Sequence, residues 1–223
     1  MIGEEVGGGA RIAAALDVFR RSCSSITGLS PSGDQLSQFR RYLDLLTRWG
    51  RVQRLVGPRT PEAVVRELFQ DALFFVAQLS SGSLRLADLG SGAGIPGIPI
   101  KILRPEIETA LIESMSKRVS FLSTVSRELG LTGVDVIAGR AEDVLREKPE
   151  LRSAFDVVVS RSVGQAIGVS ARGYLKIGGV YIAGASESKR IRRAVEVDGL
   201  ELERRTLGKG GESRALLVGR RVS

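Results

Sequence analysis

The sequence predicts an α/β protein in which a mostly parallel β-sheet follows a group of helices. Apolar residues recur at helical spacing up to about residue 79, and from residue 84 onward strand-like segments alternate with helix-like segments. The stretch LADLGSGAGIPGIPI, residues 86–100, adds a glycine-rich loop after the first of these strands. Because alternating strands and helices form parallel sheets with right-handed crossovers, these observations together favour an open, layered α/β architecture.

Three segments in the first part of the chain are predicted to be helices, at residues 11–26, 34–49 and 61–79. Ser32 and Gln35 have the spacing of a capping box ahead of the second helix. Thr60 followed by Pro61 has the pattern of an N-cap residue with proline at the first helical position. These segments predict a helical N-terminal extension.

Five strands are predicted in the second part of the chain, near residues 84–89, 107–112, 134–138, 155–160 and 178–183. The C-terminal stretch LELERRTLGKGGESRALLVGRR predicts two more strands about a glycine-rich turn, which would form an antiparallel edge of the sheet. We therefore divide the chain into a helical extension, residues 1–80, and a Rossmann-like core, residues 81–223.

The composition narrows the possible functions. The chain carries 33 Lys and Arg against 25 Asp and Glu, and its net charge of +8 favours a polyanionic partner such as nucleic acid. Because Cys23 is the single cysteine, no internal disulfide is possible, and we expect the reducing cytoplasm. No apolar run reaches the ~18 residues of a membrane helix. The absence of histidine removes histidine bases, Ser-His-Asp triads and most catalytic zinc sites, so we expect no metal.

The glycine-rich loop supports two interpretations. Gly92, Gly94 and Gly97 match the dinucleotide pattern G-x-G-x-x-G. Asp88, Gly90, Gly92 and Gly94 match D-x-G-x-G-x-G, the nucleoside-binding loop typical of methyltransferases that use S-adenosylmethionine. Both ligands sit at the carboxyl ends of parallel strands, so the glycines alone discriminate weakly between them.

Two further features indicate a nucleoside. Glu113 ends the second predicted strand, about 20 residues past the glycines, where a carboxylate can accept both ribose hydroxyls. NAD would need an acid at the same position, so Glu113 does not discriminate between NAD and S-adenosylmethionine. GRAEDV, residues 139–144, follows the third strand, where a segment that contacts adenine would lie. Acids in the first turn of a helix also favour the helix dipole, which is a simpler explanation of that segment.

The motifs in combination resemble the bacterial glucose-inhibited division protein B family. The similar stretches are DLGSGAGIPGIPIKILRP (88–105), LIESMSKRVSFLSTVSRELGL (111–131), GRAED and VVSRSVG. Members of that family are S-adenosylmethionine-dependent methyltransferases that modify guanine N7 in small-subunit ribosomal RNA. The resemblance covers residues 84–184 well and the preceding helices more loosely. It implies a class I methyltransferase fold, S-adenosylmethionine as cofactor, and ribosomal RNA or the small subunit as partner.

The resemblance also implies a set of cofactor contacts. By position these fall on Gly90, Ile95, Ala141, Glu142 and Arg161, with Glu113 at the ribose. We add Asp88, Gly92 and Gly94 from the loop itself and assign no catalytic residue. Without the resemblance, Arg161 would more often be a solvated arginine at a strand end. Candidate phosphate contacts are the basic segments Lys117-Arg118, 189–193 and Arg204-Arg205.

The composition agrees with methylation at guanine N7. N7 carries an accessible lone pair, so no base is needed to remove a proton, and catalysis can consist mostly of alignment. Methylation at pyrimidine C5 commonly needs a cysteine, but Cys23 lies far from the glycine loop in sequence. Exocyclic amines are often handled by a motif containing Pro-Pro, which does not occur in this chain.

Two alternatives stay open at this level. One is a nicotinamide-dependent oxidoreductase that uses the dinucleotide pattern. The other is a methyltransferase-fold protein that binds RNA without turnover, or acts on another substrate. The second alternative arises because the chain differs from the family pattern at Arg54-Leu55-Val56, in RELFQDALF (66–74), and around Gly184-Ala185.

Overall fold

The structure is a computed structural model that describes residues 2–50, 55–58, 60–161, 165–184, 195–197, 199–208 and 214–222. For residues 2–8, 165–169 and 195–197 it describes the backbone. The predicted helices are present. Helix α1 spans Ile2–Thr27 and α2 spans Gly33–Gly50. A third helical segment consists of α3 (Pro61–Val64), a π-helical turn (Val65–Phe69) and α4 (Gln70–Val76).

The predicted caps are confirmed. The Ser32 hydroxyl accepts from the Gln35 backbone N–H at 3.2 Å, and the Gln35 side chain accepts from the Ser32 N–H at 2.9 Å. This reciprocal pair is a capping box at the start of α2. Thr60 caps α3 by accepting from the Ala63 N–H at 3.2 Å, with Pro61 in the first turn.

A mixed sheet follows the helices, and within the described residues it has eight strands in the order β3-β2-β1-β4-β5-β8-β7-β6. The strands are β1 (Arg85–Leu89), β2 (Glu108–Glu113), β3 (Val134–Ala138), β4 (Phe155–Ser160), β5 (Leu175–Gly184), β6 (Val195–Val197), β7 (Leu200–Leu207) and β8 (Arg214–Arg221). Strands β1 to β5 are parallel, and β8 pairs antiparallel with β5 and β7. The predicted antiparallel edge is therefore confirmed, with one short strand, β6, that the sequence did not indicate.

Helices alternate with the parallel strands as predicted: α5 (Gly97–Leu103), α6 (Ser116–Glu128), α7 (Ala141–Glu147), a 3₁₀ turn (Pro149–Leu151) and α8 (Gln165–Tyr174). The chain first moves outward from β1 to β3 and then returns to place β4 on the other side of β1. The order of strands thus reverses between β1 and β4. In open α/β sheets, ligands bind at the carboxyl ends of the strands on either side of such a reversal.

The N-terminal helices share a hydrophobic core with one face of the sheet. Phe19, Phe39 and Phe69 are buried together with residues of α5, α6 and the central strands. The rings of Phe19 and Phe39 lie 4.6 Å apart, and those of Phe39 and Phe69 lie 5.3 Å apart. A second cluster, which includes Phe155 and Tyr174, covers the opposite face. The shared core fixes the N-terminal helices relative to the sheet.

Polar contacts also tie α2 to the helices beside the sheet. The Gln35 side chain donates to the Ile102 carbonyl at 2.7 Å, and Gln38 donates to the Leu129 carbonyl at 2.8 Å. At the other end of α2, Trp49 packs edge-on against Phe121 of α6, with ring centroids 5.4 Å apart. Helix α2 therefore runs antiparallel to α6, and its C-terminal end approaches the carboxyl edge of the sheet.

Candidate active site

The carboxyl ends of four parallel strands bring the predicted residues to one edge of the sheet. The glycine-rich loop follows β1, Glu113 ends β2, and the first turn of α7 follows β3. Arg161 comes directly after β4, which pairs with β1. The sequence-predicted site residues therefore belong to the strand ends and loops of a single edge.

The glycine-rich loop folds into a tight turn that needs glycine. Gly90, Gly92 and Gly94 have φ values of +69°, +60° and +88°, a conformation that side-chain-bearing residues rarely adopt. The backbone N–H groups of Gly90 and Ser91 both donate to the Ile112 carbonyl, at 2.9 and 3.1 Å. These bonds join the loop to the end of β2, so the loop and Glu113 are held together.

Gly97 permits close packing of α5 against β1. A Cβ atom at this position would lie 2.7 Å from Asp88 Oδ2 and 2.6 Å from a methyl group of Leu111. The Gly97 N–H donates to the same Asp88 oxygen at 2.9 Å. The third glycine of G-x-G-x-x-G is thus explained by helix–strand packing. The pattern does not require a dinucleotide.

Asp88 combines deep burial with an unused acceptor. Its side chain is 1% exposed, and Oδ1 has no hydrogen-bond partner within the described part of the chain. Burial raises the pKa of Asp88 to about 7, against the opposing influences of the Gly97 N–H and the Arg161 cation, while Glu113 adds to the rise. A buried acceptor without a donor is costly. The ammonium group of an amino-acid ligand is a donor that would satisfy Oδ1, so this position fits S-adenosylmethionine.

Glu113 is held in a fixed orientation by its neighbours. It is 4% exposed, its Oε2 accepts from the Gly92 N–H, and its Oε1 accepts from the Met115 N–H, both at 2.8 Å. Arg118 Nη1 lies 3.8 Å from Oε2. The Ser114 hydroxyl also donates to Oε1, at 3.5 Å. A carboxylate offers about four lone-pair sites, so these hydrogen bonds leave an acceptor site for a ribose hydroxyl. The contact of Glu113 with ribose stays a prediction.

The predicted adenine segment lies next to Glu113. The Gly139 N–H donates to the Glu113 carbonyl at 2.9 Å, and α7 begins two residues later at Ala141. The Ala141 carbonyl accepts from the Tyr174 hydroxyl at 2.7 Å, which ties the first turn of α7 to α8. Glu142 is exposed at this turn. The contact of this segment with adenine stays a prediction.

Arg161 is not simply a solvated arginine at a strand end. Its Nε lies 4.0 Å from Oδ2 of Asp71, a residue of α4, and its side chain is 40% exposed. Sequence reasoning missed Asp71. The available signal was an acid within the apolar run LFQDALF of a helix whose neighbours are buried, where an unpaired carboxylate would be costly.

Tyr42 was also missed, and it links the N-terminal helices to the loop. Its side chain is fully buried, and its hydroxyl donates to the Ala93 carbonyl within the glycine-rich loop. Its ring stacks on Phe69, with centroids 5.4 Å apart and an interplanar angle of 10°. In the sequence Tyr42 is only one more residue of the apolar stripe of α2, so nothing local indicated this contact.

The candidate phosphate contacts differ in their surroundings. Lys117 is exposed at the start of α6, whereas Arg118 lies beside Glu113. Arg205 pairs with Glu203 and donates to Gln78 at 2.9 Å. The basic run 189–193 lies outside the described residues.

Over the described ranges, no cluster of three or more metal-ligating side chains occurs and no helix is long and apolar enough to cross a membrane.

Two solved structures share the fold of this chain. A SAM-dependent methyltransferase from Aquifex aeolicus superposes with a TM-score of 0.55 at 13% identity, covering 78% of this chain and 98% of that one. TYW2 from P. horikoshii, in complex with MeSAdo, gives a TM-score of 0.55 at 14% identity, covering 77% and 66%. The predicted class I methyltransferase fold is confirmed.

Sequence relatives extend the similarity over most of the chain. The "Ribosomal RNA small subunit methyltransferase G" of Desulfitobacterium hafniense is 38% identical over 202 residues, 86% of this chain and 83% of the relative. The protein of the same name from Streptococcus thermophilus is 39% identical over 160 residues, 70% of this chain and 67% of the relative. The family model described as rRNA small subunit methyltransferase G matches residues 35–190. The chain therefore belongs to the rRNA small subunit methyltransferase G family.

Proposed function

We propose that this chain transfers the methyl group of S-adenosylmethionine to N7 of a guanine in the RNA of the small ribosomal subunit. The observation that carries the proposal is the carboxyl edge of the sheet, where the glycine-rich loop, the unused acceptor of Asp88 and the oriented carboxylate of Glu113 meet. Membership of the family, and the names of the relatives, support ribosomal RNA as the substrate.

The cofactor of the family is S-adenosylmethionine, which supplies a methyl group carried on a positively charged sulfur. In the proposed assignment, Asp88 accepts from the ammonium group, and Glu113 accepts from the ribose hydroxyls. The remaining proposed contacts are the backbone of Gly90, Gly92, Gly94 and Ile95, the segment Ala141-Glu142, and Arg161.

In the proposed reaction the chain mainly aligns the guanine with the methyl donor and does not need to transfer a proton. Guanine N7 attacks with a lone pair that is already available, so no group has to act as a base before transfer. Asp88 and Glu113 each accept from a backbone N–H group and are assigned to cofactor binding, and the chain contains no histidine. Fixing the nucleophile and the methyl donor in one geometry can supply much of the acceleration. We therefore infer that the edge acts mainly by binding and orientation.

The RNA partner is expected to meet the same edge. The net charge is +8, and exposed cations include Arg48 near the end of α2 and Lys117 at the start of α6. In this proposal the helical extension, residues 1–80, helps to dock the ribosomal particle while the core, residues 81–223, holds the cofactor. Such a substrate would place the protein in the cytoplasm.

Labelled cofactor tests the substrate class directly. The protein is incubated with methyl-labelled S-adenosylmethionine and, in separate reactions, with unmethylated small subunits, their naked RNA, and transfer RNA. We expect label in small-subunit RNA, from the particle or from naked RNA. Label confined to transfer RNA, or to a small molecule, would contradict the substrate assignment and leave the methyltransferase fold intact.

Binding to RNA is expected to depend steeply on salt. Lysine and arginine contacts to phosphate release counterions, so affinity falls as salt rises, and loss of one contact reduces the slope of log affinity against log salt by about 1. Lys117→Ala should show this reduction. Lys148→Ala is the matched control, because Lys148 is exposed just after the end of α7, away from the carboxyl edge. An unchanged slope for Lys117→Ala would exclude that phosphate contact.

A further inference from the structure

Asp71 lies between two arginines where the N-terminal helices meet the carboxyl edge. Its Oδ1 is 3.0 Å from Nε of Arg214 on β8, and its Oδ2 is 4.0 Å from Nε of Arg161. The carboxylate is the more enclosed partner, with a side chain 21% exposed against 40% for Arg161 and 42% for Arg214. One carboxylate thus connects α4 to two separate parts of the sheet.

The local structure of the helix places Asp71 at this point. It is the second residue of α4, directly after the π-helical turn Val65–Phe69. A π turn changes the direction in which the following side chains point, and such turns frequently occur at functional sites. Phe69, the last residue of the turn, stacks on Tyr42, which in turn donates to the glycine-rich loop. The same short segment therefore contacts the glycine-rich loop through Tyr42 and Arg161 through Asp71.

Arg161 also lies within electrostatic reach of the loop. Burial is the main influence on the pKa of Asp88, and the Arg161 cation opposes it. Burial likewise dominates the raised pKa of Tyr42, again with an opposing contribution from Arg161. The guanidinium therefore interacts electrostatically with both the acid on α4 and the acid at the end of β1.

We propose that Asp71 is a positioning residue that holds the guanidinium of Arg161 at the cofactor edge. The inference rests on the proposed function, in which Arg161 contacts the cofactor. An arginine side chain loses considerable rotamer freedom when a ligand orders it, and a carboxylate that orders it in advance removes part of that cost. The contact with Asp71 uses Nε, which leaves the two terminal nitrogens as donors for a ligand.

Arg214 gives the carboxylate its own anchor. The Arg214 Nε donates to Oδ1 of Asp71 at 3.0 Å, a true hydrogen bond, whereas the contact of Arg161 with Oδ2 is a looser ion pair at 4.0 Å. The shorter contact, with Arg214, fixes the carboxylate, and the longer contact, with Arg161, orients the guanidinium. A firmly held carboxylate can orient Arg161 and still permit the small adjustment that ligand binding requires.

A double-mutant cycle tests the inference. The variants are Asp71→Asn, Arg161→Ala and the combination, and the affinity for S-adenosylmethionine and for its demethylated product is measured by calorimetry. We expect Asp71→Asn to weaken binding about threefold to tenfold, because a preorganised side chain is lost. Arg161→Ala should weaken binding at least as much, and the double variant should bind no more weakly than Arg161→Ala alone.

A matched control separates positioning from general stability. Glu128→Gln breaks another ion pair between helices, that of Glu128 in α6 with Arg41 in α2 at 2.5 Å, near the opposite edge of the sheet. This variant should lower the unfolding temperature without changing cofactor affinity. A second measurement uses the unmodified protein: nuclear magnetic resonance relaxation of Arg161 Nε should show restricted motion of this side chain before any cofactor is added.

The outcomes distinguish the inference from the proposed function. Wild-type affinity of Asp71→Asn alongside weak binding by Arg161→Ala, or additive losses in the double variant, would overturn the role of Asp71 alone. Unrestricted motion of the Arg161 side chain in the cofactor-free, unmodified protein would do the same if Asp71→Asn does not fold. Unchanged affinity of Arg161→Ala would remove both residues from the site. Absence of RNA methylation with the expected cofactor affinities would contradict only the proposed substrate.

Discussion

Replacement of Glu113 by alanine is expected to weaken binding of S-adenosylmethionine by ~1–3 kcal/mol, or about 5-fold to 150-fold in affinity. The substitution removes the acceptor proposed for the ribose hydroxyls. It also strands the N–H groups of Gly92 and Met115, both of which donate to this carboxylate at 2.8 Å. Calorimetric titration with the cofactor and with its demethylated product measures the effect.

A control for this prediction lies on the same strand. Glu108 begins β2 at the opposite edge of the sheet, where it pairs with Arg85 at 3.3 Å. Glu108→Ala should bind the cofactor as the unmodified protein does. If Glu113→Ala is folded and also retains its full affinity, Glu113 has no part in the cofactor site.

Cofactor binding is also expected to weaken as the pH falls below about 7, because Asp88 then takes up a proton. Burial, as the main cause, raises the pKa of this carboxyl to about 7. Only the ionised form offers full charge to the ammonium group of the cofactor, so affinity should fall by up to about tenfold per pH unit in the acid range. Titrations between about pH 5.5 and about pH 7 keep the ammonium group protonated throughout.

The Asp88→Asn variant separates the charge from the shape of the side chain. It should bind the cofactor weakly at every pH, without the acid dependence of the unmodified protein. An Asn variant with the same pH profile would show that a different group titrates. Asp34→Asn, at the exposed start of α2 near the opposite edge of the sheet, is a suitable control for a change of one carboxylate elsewhere.

Asp88 should make the stability of the cofactor-free protein depend on pH in the direction opposite to that of cofactor affinity. Its pKa rises from an ordinary 3.8 to about 7 on folding, so the folded state holds this proton more tightly than the unfolded chain does. The stabilising contribution is complete below pH 3.8 and is lost as the pH rises to about 7. At higher pH the fold carries the cost of a buried charge, and Asp88→Asn should raise the unfolding temperature there. A lower unfolding temperature at pH values above about 7 would contradict this assignment of the pKa.

Local patterns were sufficient to predict the elements that build the cofactor edge. Strand β4 spans the predicted residues, and β2 ends at Glu113, the residue expected at the end of that strand. Alternating strands and helices are marked by changes of hydrophobic period, and caps are marked by side chains that bond within a few residues. For the same reason, the capping box of Ser32 and Gln35 was visible in the sequence.

The contacts that join distant segments were not predictable from such patterns. Tyr42 reaches Ala93, 51 residues away in the chain, and Asp71 meets Arg161 and Arg214. Nothing local distinguishes Tyr42 from the other residues of its helix, and although Asp71 is an acid within an apolar run, no local pattern identifies its partners, because these contacts depend on how the elements pack. The π turn at Val65–Phe69 was likewise not indicated, and the third predicted helix ends at Val76, not at residue 79.

The predicted division of the chain into two parts also shows the difference between local patterns and contacts between distant segments. A change of period near residue 80 predicts a boundary between a helical extension and a core, and that boundary stays a prediction. In the structure, Phe39 and Phe69 of the N-terminal helices belong to the same buried cluster as Leu111 of β2. Periodicity reports which face of an element is buried, but it does not report which partner covers that face.

The central claim is the transfer of a methyl group to guanine N7 in small-subunit ribosomal RNA, and chemical mapping of the methylated base tests it most directly. Unmethylated small subunits are incubated with the protein and S-adenosylmethionine, and the RNA is cleaved chemically at 7-methylguanosine and digested for nucleoside mass spectrometry. We predict cleavage at a guanine of that RNA, together with 7-methylguanosine in the digest, and a strongly reduced yield with Glu113→Ala. Methylation of another base, or of another atom of guanine, would contradict the claim.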